Sequence, residues 1–579
     1  VVVEAQTTTG AVRGYVTGAG QAPLASVTVT ARNLANNQTR GTQTNASGFY
    51  FIGGLRPGRY ELSARRVGLS PATRQITVAI GQTLDVPLAL QETTVTLETV
   101  TVTATDVAAE RTRTSEVATN VSREQIENLP NFERNFLDIA RLAPGITADN
   151  VNSTNKVFRA AGQPAEAVNV FVDGATYKSD VLAGGVVGQD ASKGNPFPQG
   201  AVQEFRVVTQ NYKAEYQRAG SAIITATTRS GTNDFELDLF GFNVNNTYVV
   251  PDAIAARRGD EPPQYRRWQA GGAVGGPIVR DKLFYFATYE LNQRDEPAAV
   301  RFGGDSLIAP PQLLAQLRPY TGPFEQDFLE HLGFGKLTWN ASSRNTIDAS
   351  LSLRADRDFR NFGGETSYEA RENMDIDVVT GVANWRFAGD RWLNEAQATY
   401  QTYSWSPTWI NGDLVGRRYN GILRIGGKDT QQDFDQRRLS LRNDVTRSSV
   451  QFLGDHVFKL GGNVDFLNYR AAKEFNLNPV FGFRREENWE RPYEASFGFG
   501  DPDVETDNTQ FGVYLQDDWS IGRRLELNLG IRWDAETNMI NNEYATPQPL
   551  ADSLRLLEPE MLVNWVTPTG TQQISTIDG

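Results

Sequence analysis

The sequence predicts a mainly β chain in three successive parts: an N-terminal β-sandwich, an α+β segment, and an incomplete antiparallel transmembrane β-barrel. Three observations carry this expectation. Short alternating runs of apolar and polar residues, punctuated by turn residues, fill positions 10–91. The next stretch mixes helical periodicity with strands. Beyond Phe235, long alternating runs are joined by connections that switch between short and long, an asymmetry that a transmembrane β-barrel requires.

Composition removes several classes of function. At 579 residues the chain is too long for one hydrophobic core, so several domains are expected. No stretch is apolar for long enough to form a transmembrane helix. There is no cysteine, and the only histidines are His331 and His456, which removes thiol nucleophiles, disulfides and nearly every zinc pattern. No cofactor is called for. With 56 basic and 69 acidic side chains the net charge is -13, the wrong sign for a nucleic-acid partner. The opening residues Val1 to Ala5 suit either a leader-peptidase cut after Ala5 or an arbitrary start.

After a short tail at 1–9, Val27, Val29 and Ala31, then Tyr60, Leu62 and Ala64, then Leu84, Val86, Leu88 and Leu90 alternate with polar residues. About seven such strands in about eighty residues make a compact sandwich. The stretch TNASGFYFIGGLRPGRYELSARRVG, Thr44 to Gly68, resembles the carboxypeptidase regulatory-like fold. That resemblance implies a binding or spacer module without catalysis.

Over 112–232 the pattern changes. Ser122 and Gln125 form a capping-box signature that opens a short helix stopped by Pro130. Phe132, Phe136, Ile139 and Ala143 fall on one helical face before Pro144 and Gly145. Val168, Val170 and Val172 then alternate into Asp173-Gly174, a hairpin signal. VNVFVDGATYKSD (Val168 to Asp180), VQEFRVVTQNYKAEYQRAGSAIITATTRSGTNDF (Val202 to Phe235), WQAGGAVGGPIVRDKLFYFATYE (Trp268 to Glu290) and YLQDDWSIGRRLELNLGIRWD (Tyr514 to Asp534) resemble plug and barrel motifs of Oar-type TonB-dependent outer-membrane receptors. The resemblance implies a plug domain over 112–232 and a barrel from 233 to 579. Gly220 and Gly231 are expected to mark tight packing of a plug strand against the barrel wall.

About eleven barrel strands are expected, near 235–247, 266–278, 282–294, 328–340, 345–355, 375–388, 391–405, 436–447, 455–470, 509–520 and 524–535. Ile347, Ala349, Leu351 and Leu353 alternate with Asp348, Ser350, Ser352 and Arg354, so one face suits lipid and the other water. The tryptophans Trp268, Trp339, Trp392, Trp519 and Trp533 lie near strand ends, as an interfacial girdle would place them. With the plug on the periplasmic side, the long connections are extracellular and the short turns periplasmic. Receptors of this kind usually have about twenty-two strands, whereas eleven leave an open edge in lipid, so the chain is expected to be a truncated barrel.

The linker at 92–111 contains TTVTLETVTVTAT, extended by propensity and without an obvious partner. Within it Glu98, Thr99, Val100, Thr101, Val102, Thr103 and Ala104 resemble a TonB box, which the TonB C-terminal domain captures by strand addition. A last sandwich strand or an inert linker is the other reading. Asp501, Asp503, Glu505 and Asp507 are candidate calcium ligands or simply a solvated loop. The loop from Phe481 to Trp489 is a candidate for substrate contact. Asp517 and Asp518 are adjacent on a strand and point to opposite faces, so they form no catalytic pair and no enzyme is expected. The expected partners are TonB, outer-membrane lipid and an unidentified extracellular ligand. The function expected is TonB-driven transport across the bacterial outer membrane, the alternative being a non-transporting adhesin or surface-structural protein.

Overall fold

The structure is a computed structural model that describes residues 8–92, 115–149, 157–180, 185–189, 192–217, 220–248, 257, 265–412, 414–498, 500–522, 525–538, 548, 552, 555, 562–567 and 570–575. It comprises two compact units, Val1–Ala535 and Glu536–Gly579. In the second unit Leu562–Thr567 pairs antiparallel with Gly570–Ser575.

The first unit begins with the sandwich. One sheet places Phe49–Leu55, Gly10–Thr17 and Thr83–Asp85 side by side, and the other runs Thr39–Gln43, Thr28–Asn33, Gly58–Arg65, Ala72–Val78. Alternation turns Val29, Ala31, Tyr60, Leu62, Ile52 and Leu84 inward, where they form one buried cluster. Tyr50 satisfies its buried hydroxyl by donating to the Val86 carbonyl at 2.6 Å.

The α+β domain carries a five-stranded sheet in the order Val117–Ser122, Val202–Gln210, Ala222–Thr228, Val168–Val172, Ala175–Thr176. The expected capping box is present: Ser122 and Gln125 bond reciprocally at the start of helix Arg123–Asn128. The expected hairpin is also present, with Asp173 at φ +49° and Gly174 at φ +86°, the left-handed pair that a tight two-residue turn needs. All five residues of Val168–Val172 are buried, because this central strand is covered on both faces. The predicted helical face from Phe132 to Ala143 needs one correction. The Asn135 side chain accepts from the Leu137 N–H at 3.1 Å and caps a 3-10 helix, Phe136–Leu142, so the helix starts after Phe132. Phe136, Ile139 and Ala143 are buried, whereas Phe132 is 60% exposed beneath the Arg267 guanidinium.

All eleven expected barrel strands are present. They are Glu236–Asn245, Arg266–Val279, Leu283–Val300, Gly322–Trp339, Asn345–Arg360, Glu372–Ala388, Trp392–Trp409, Thr430–Gln451, Asp455–Phe475, Asp503–Ile521 and Leu525–Glu536. Each pairs antiparallel with the next in chain order. Among the described residues the sheet is an open path, its first and last strands having one neighbour each. Leu351, Leu353, Tyr400, Leu439, Leu441, Leu515 and Ile531 face outward and are exposed, while Ser352, Arg354, Gln401, Arg438, Ser440 and Gln516 face the lumen and are buried. This inversion of a soluble protein is what lipid outside and a filled, polar lumen demand. Trp339, Trp385, Trp392 and Trp519 cluster toward the short turns, and Trp268 and Trp533 toward the long loops.

Several strands run farther into the long connections than expected. Leu283–Val300 and Gly322–Trp339, for example, stay paired up to Val300 and Gly322. The loops also build a four-stranded sheet, in the order Leu423–Ile425, Gly416–Tyr419, Val480–Phe483, Pro492–Ser496. Beneath it Ile422, Leu423, Ile425 and Trp489 pack with Val300 and Leu317 in a separate apolar cluster.

Candidate functional site

The α+β domain is seated inside the curve of the barrel sheet and held mainly by polar side chains from the wall. Lys336 reaches Asp173 in the plug hairpin at 2.8 Å and Thr228 at 2.8 Å. Gln397 donates to the Asp173 carbonyl at 2.7 Å, and Arg442 donates to the Gly174 carbonyl. The hairpin tip is therefore gripped through both its backbone and its carboxylate. Farther round the wall, Glu290 accepts from the Gly200 N–H at 2.7 Å and pairs with Arg134 at 3.2 Å. Glu133 of the plug pairs with Arg267 at 2.8 Å and with Arg294. Lys459 joins Glu215 of the plug to Asp444 of the wall, and Arg438 pairs with Asp180. Among the described residues the wall adds Ala273, Phe286, Phe334 and Val382 to the main buried cluster, and Val187 of the plug packs on a second apolar patch of the wall that includes Val378, Tyr403 and Phe434. A seat built from hydrogen bonds and ion pairs can exchange them for water, so moving this domain costs less than exposing a comparable apolar core.

Gly231 bears out the expected close approach. An added Cβ there would lie 2.3 Å from the Tyr285 carbonyl oxygen and 2.6 Å from that of Gly276, both barrel backbone. Gly220 differs: among the described residues its Cβ would meet the Ala167 methyl alone, at 3.5 Å, within the plug.

The sandwich covers the short-turn mouth. Asn37 donates to Asp281 at 3.0 Å, Gln38 to Thr346 at 2.6 Å, Thr42 to the Asp390 carbonyl at 2.8 Å and Asn45 to Asp455 at 2.7 Å. Ser47 and Tyr15 also donate to Asp455, at 3.1 and 3.0 Å, and Arg13 pairs with Glu526. Positions 37 to 47 of the sandwich thus meet successive turns in the order in which the barrel lays them down. The Arg56 side chain enters the lumen, bonding Ser230 at 3.1 Å and pairing with Asp348. On the plug side the Ile80 N–H donates to Glu204, and burial pushes that carboxyl up to about 7 despite this bond and nearby Arg206.

The sequence-predicted site residues fall as follows. Glu98 to Ala104 lie outside the described residues. Asp503, Glu505 and Asp507 project at alternate positions from an exposed strand end. Asp503 pairs with Arg470 at 3.2 Å, Glu505 and Asp507 accept from Asn468 at 3.1 and 2.9 Å, and Asp501 accepts from the Asp503 N–H at 3.1 Å. Among the described residues no group of three or more His, Cys, Asp or Glu is disposed to hold a metal. Asp517 and Asp518 do diverge, the first bonding His456 at 2.8 Å and the second Lys213 at 3.2 Å. Trp489 is buried in the loop cluster, where its indole N–H donates to the Asn420 carbonyl at 3.1 Å. Sequence reasoning missed the cover over the mouth and the gripping of the hairpin tip. Only the Asp-Gly turn signal pointed to the second.

A lumen-filling plug inside a lipid-facing antiparallel sheet defines an outer-membrane β-barrel protein. Residues 227–302 and 306–563 match the Outer membrane beta barrel domain model, more than half of the sequence, and the chain belongs to that family. Residues 11–91 match the Carboxypeptidase regulatory-like domain. The chain is 24% identical over 627 aligned positions to the TonB-dependent transporter Oar of Myxococcus xanthus, covering 89% of this chain and 56% of that protein. The resemblance to Oar-type receptors read from the sequence is thereby borne out. Among solved structures, the outer membrane transporter YddB from Escherichia coli shares the fold with a TM-score of 0.57 at 13% identity, covering 73% of this chain and 57% of that one. The siderophore receptor PirA from Acinetobacter baumannii has a TM-score of 0.50 at 14% identity over 73% of this chain and 57% of its own. The chain spans about half the length of the curated relative, 56%.

Proposed function

We propose that the protein carries out TonB-driven active transport of an extracellular ligand across the outer membrane, with TonB engaging Glu98 to Ala104. The observation that carries this reading is the polar seat of the plug, gripped at Asp173 and Gly174 by Lys336, Gln397 and Arg442. Such a seat can be released by force applied to the chain just before the plug. The segment at 93–114 joins the sandwich to the plug and contains ETVTVTA, whose extended propensity suits capture by strand addition. In this reading the sandwich and short turns face the periplasm, the long loops face the exterior, and further strands pair the two open sheet edges, whose backbone groups lipid cannot satisfy. The relative from Myxococcus xanthus is named a TonB-dependent transporter, which supports the assignment.

Because the chain has no native cysteine, one engineered thiol is unique. Val102→Cys, tested for disulfide capture by a cysteine-bearing TonB C-terminal domain, is expected to cross-link, and cysteines outside Glu98 to Ala104 are not. An outer-membrane protein with no cross-link at Val102 favours the adhesin or structural reading instead.

A further inference from the structure

A cavity of about 350 Å³ lies where sandwich strand Thr39–Gln43 meets the short barrel turns, and its lining includes Arg40, Arg344, Arg391, Trp392 and Thr42. Arg40 is only 6% exposed, yet among the described residues its guanidinium makes one hydrogen bond, from Nη2 to Thr346 at 3.3 Å, and its buried Nη1 has no partner. Among the described residues no carboxylate bonds to it. Glu395, which acts on it through space, is bonded to Arg386 at 2.9 Å, and Asp390 is paired with Arg344 at 3.3 Å. Burial, reinforced by Arg386, pulls the Arg40 guanidinium down to about 10. A buried cation without a directly bonded carboxylate is costly, and one beside a cavity whose edge carries Arg391 and the Arg344–Asp390 pair is the arrangement an anion would complete.

The rim indicates which anion. Trp392 is half-exposed on the lipid side of the barrel, and the Arg447 guanidinium lies 4.7 Å from its ring centre. Trp385, on the neighbouring strand, and Trp339, three strands away, are also about half-exposed and lie at the same short-turn end of the sheet. An aromatic belt with arginines beside it marks the headgroup level of a bilayer. The cavity volume is within the range of small-molecule sites.

We propose that this cavity binds the phosphate of an anionic phospholipid headgroup from the leaflet at the short-turn mouth, with Arg40 and Arg391 meeting the phosphate and the acyl chains leaving past Trp392. A lipid held there contacts sandwich and barrel at once, and so ties the cover to the membrane as well as to the turns. This assignment rests on the outer-membrane location and not on the transport reading.

The test uses the full chain in neutral detergent micelles, titrated with dihexanoyl phosphatidylglycerol, dihexanoyl phosphatidylcholine and inorganic phosphate. The wild type is expected to bind the phosphatidylglycerol about tenfold or more tightly than the phosphatidylcholine. Arg40→Gln is expected to abolish that preference, Arg391→Gln to weaken it several-fold, and Arg32→Gln, on the exposed face of the sandwich, to leave it unchanged. If Arg40→Gln does not fold, the exposed Arg391 carries the test. Equal binding of the two lipids, or a preference unchanged by Arg391→Gln in a folded protein, overturns the proposal. Inorganic phosphate binding as tightly as phosphatidylglycerol overturns the lipid as its source.

Discussion

Lys336 of the barrel wall and Asp173 of the plug hairpin form a buried ion pair, Nζ to Oδ2, at 2.8 Å. Thr228 completes the cluster by donating from its backbone N–H to Asp173 at 2.9 Å while its hydroxyl accepts from Lys336 at 2.8 Å. This is where the turn of the plug is tied to the wall, and breaking the pair from the wall side leaves the carboxylate in place.

Lys336→Met should therefore loosen the plug strongly, because a buried carboxylate loses its charge partner. A cost of about 3 kcal/mol is expected, the lower end for broken buried pairs, since the Thr228 bonds remain. Hydrogen exchange at Asp173 to Thr176 reads the effect, and unchanged exchange there contradicts it.

Gly231→Ala should destabilise the seated plug by about 1–3 kcal/mol, because the new methyl meets barrel backbone that cannot step aside. Gly220→Ala, whose methyl meets the Ala167 side chain at an ordinary van der Waals distance, should fall within about 1 kcal/mol of wild type. Thermal unfolding of the two variants in the same detergent distinguishes them.

Glu204 predicts a pH dependence for the contact between sandwich and plug. Its carboxyl stands at about 7 in the docked state, against about 4.3 for a free glutamate. The docked state thus binds the extra proton between these values. Its stabilisation is complete below the free value and is lost as pH rises through about 7. Dyes on Val67→Cys and Leu307→Cys, both fully or almost fully exposed, should report a lower urea midpoint for sandwich release at pH 8 than at pH 5. Glu204→Gln should flatten that difference.

Asp455→Ala removes the acceptor shared by Tyr15, Asn45 and Ser47. The sandwich should lose about 1–3 kcal/mol of docking free energy, the range for leaving buried donors unpaired. Faster hydrogen exchange over Asn45 to Phe49, with the barrel strands unchanged, is the expected signature.

What was legible in the sequence follows from where a single solvent boundary acts on many consecutive residues. Leu351 and Leu353 against Ser352 and Arg354 reveal a strand because lipid and lumen impose opposite demands at every step. Gly416–Tyr419 and Pro492–Ser496 are short and lie outside that boundary, so no alternation marked the loop sheet. The same reason hid the strand ends near Val300 and Gly322. Phe132 misled because helical spacing continues across Asn135, where the side-chain cap restarts the chain. The contacts of Asn37, Thr42 and Asn45 with the turns join positions hundreds of residues apart. One polar residue per contact leaves no periodic trace.

The row of sandwich contacts also constrains assembly. Asn37, Gln38, Thr42 and Asn45 meet Asp281, Thr346, Asp390 and Asp455 in matching order, one short turn after another. Each of those turns exists only once its hairpin has been inserted, and Arg13 pairs with Glu526 of the last strand, so the final seating of the sandwich must await the eleventh strand. A hairpin slipped by one residue would carry its turn out of step and leave a gap in the row. The sandwich, made before the barrel, therefore serves as a gauge of whether the later hairpins have been laid down in register.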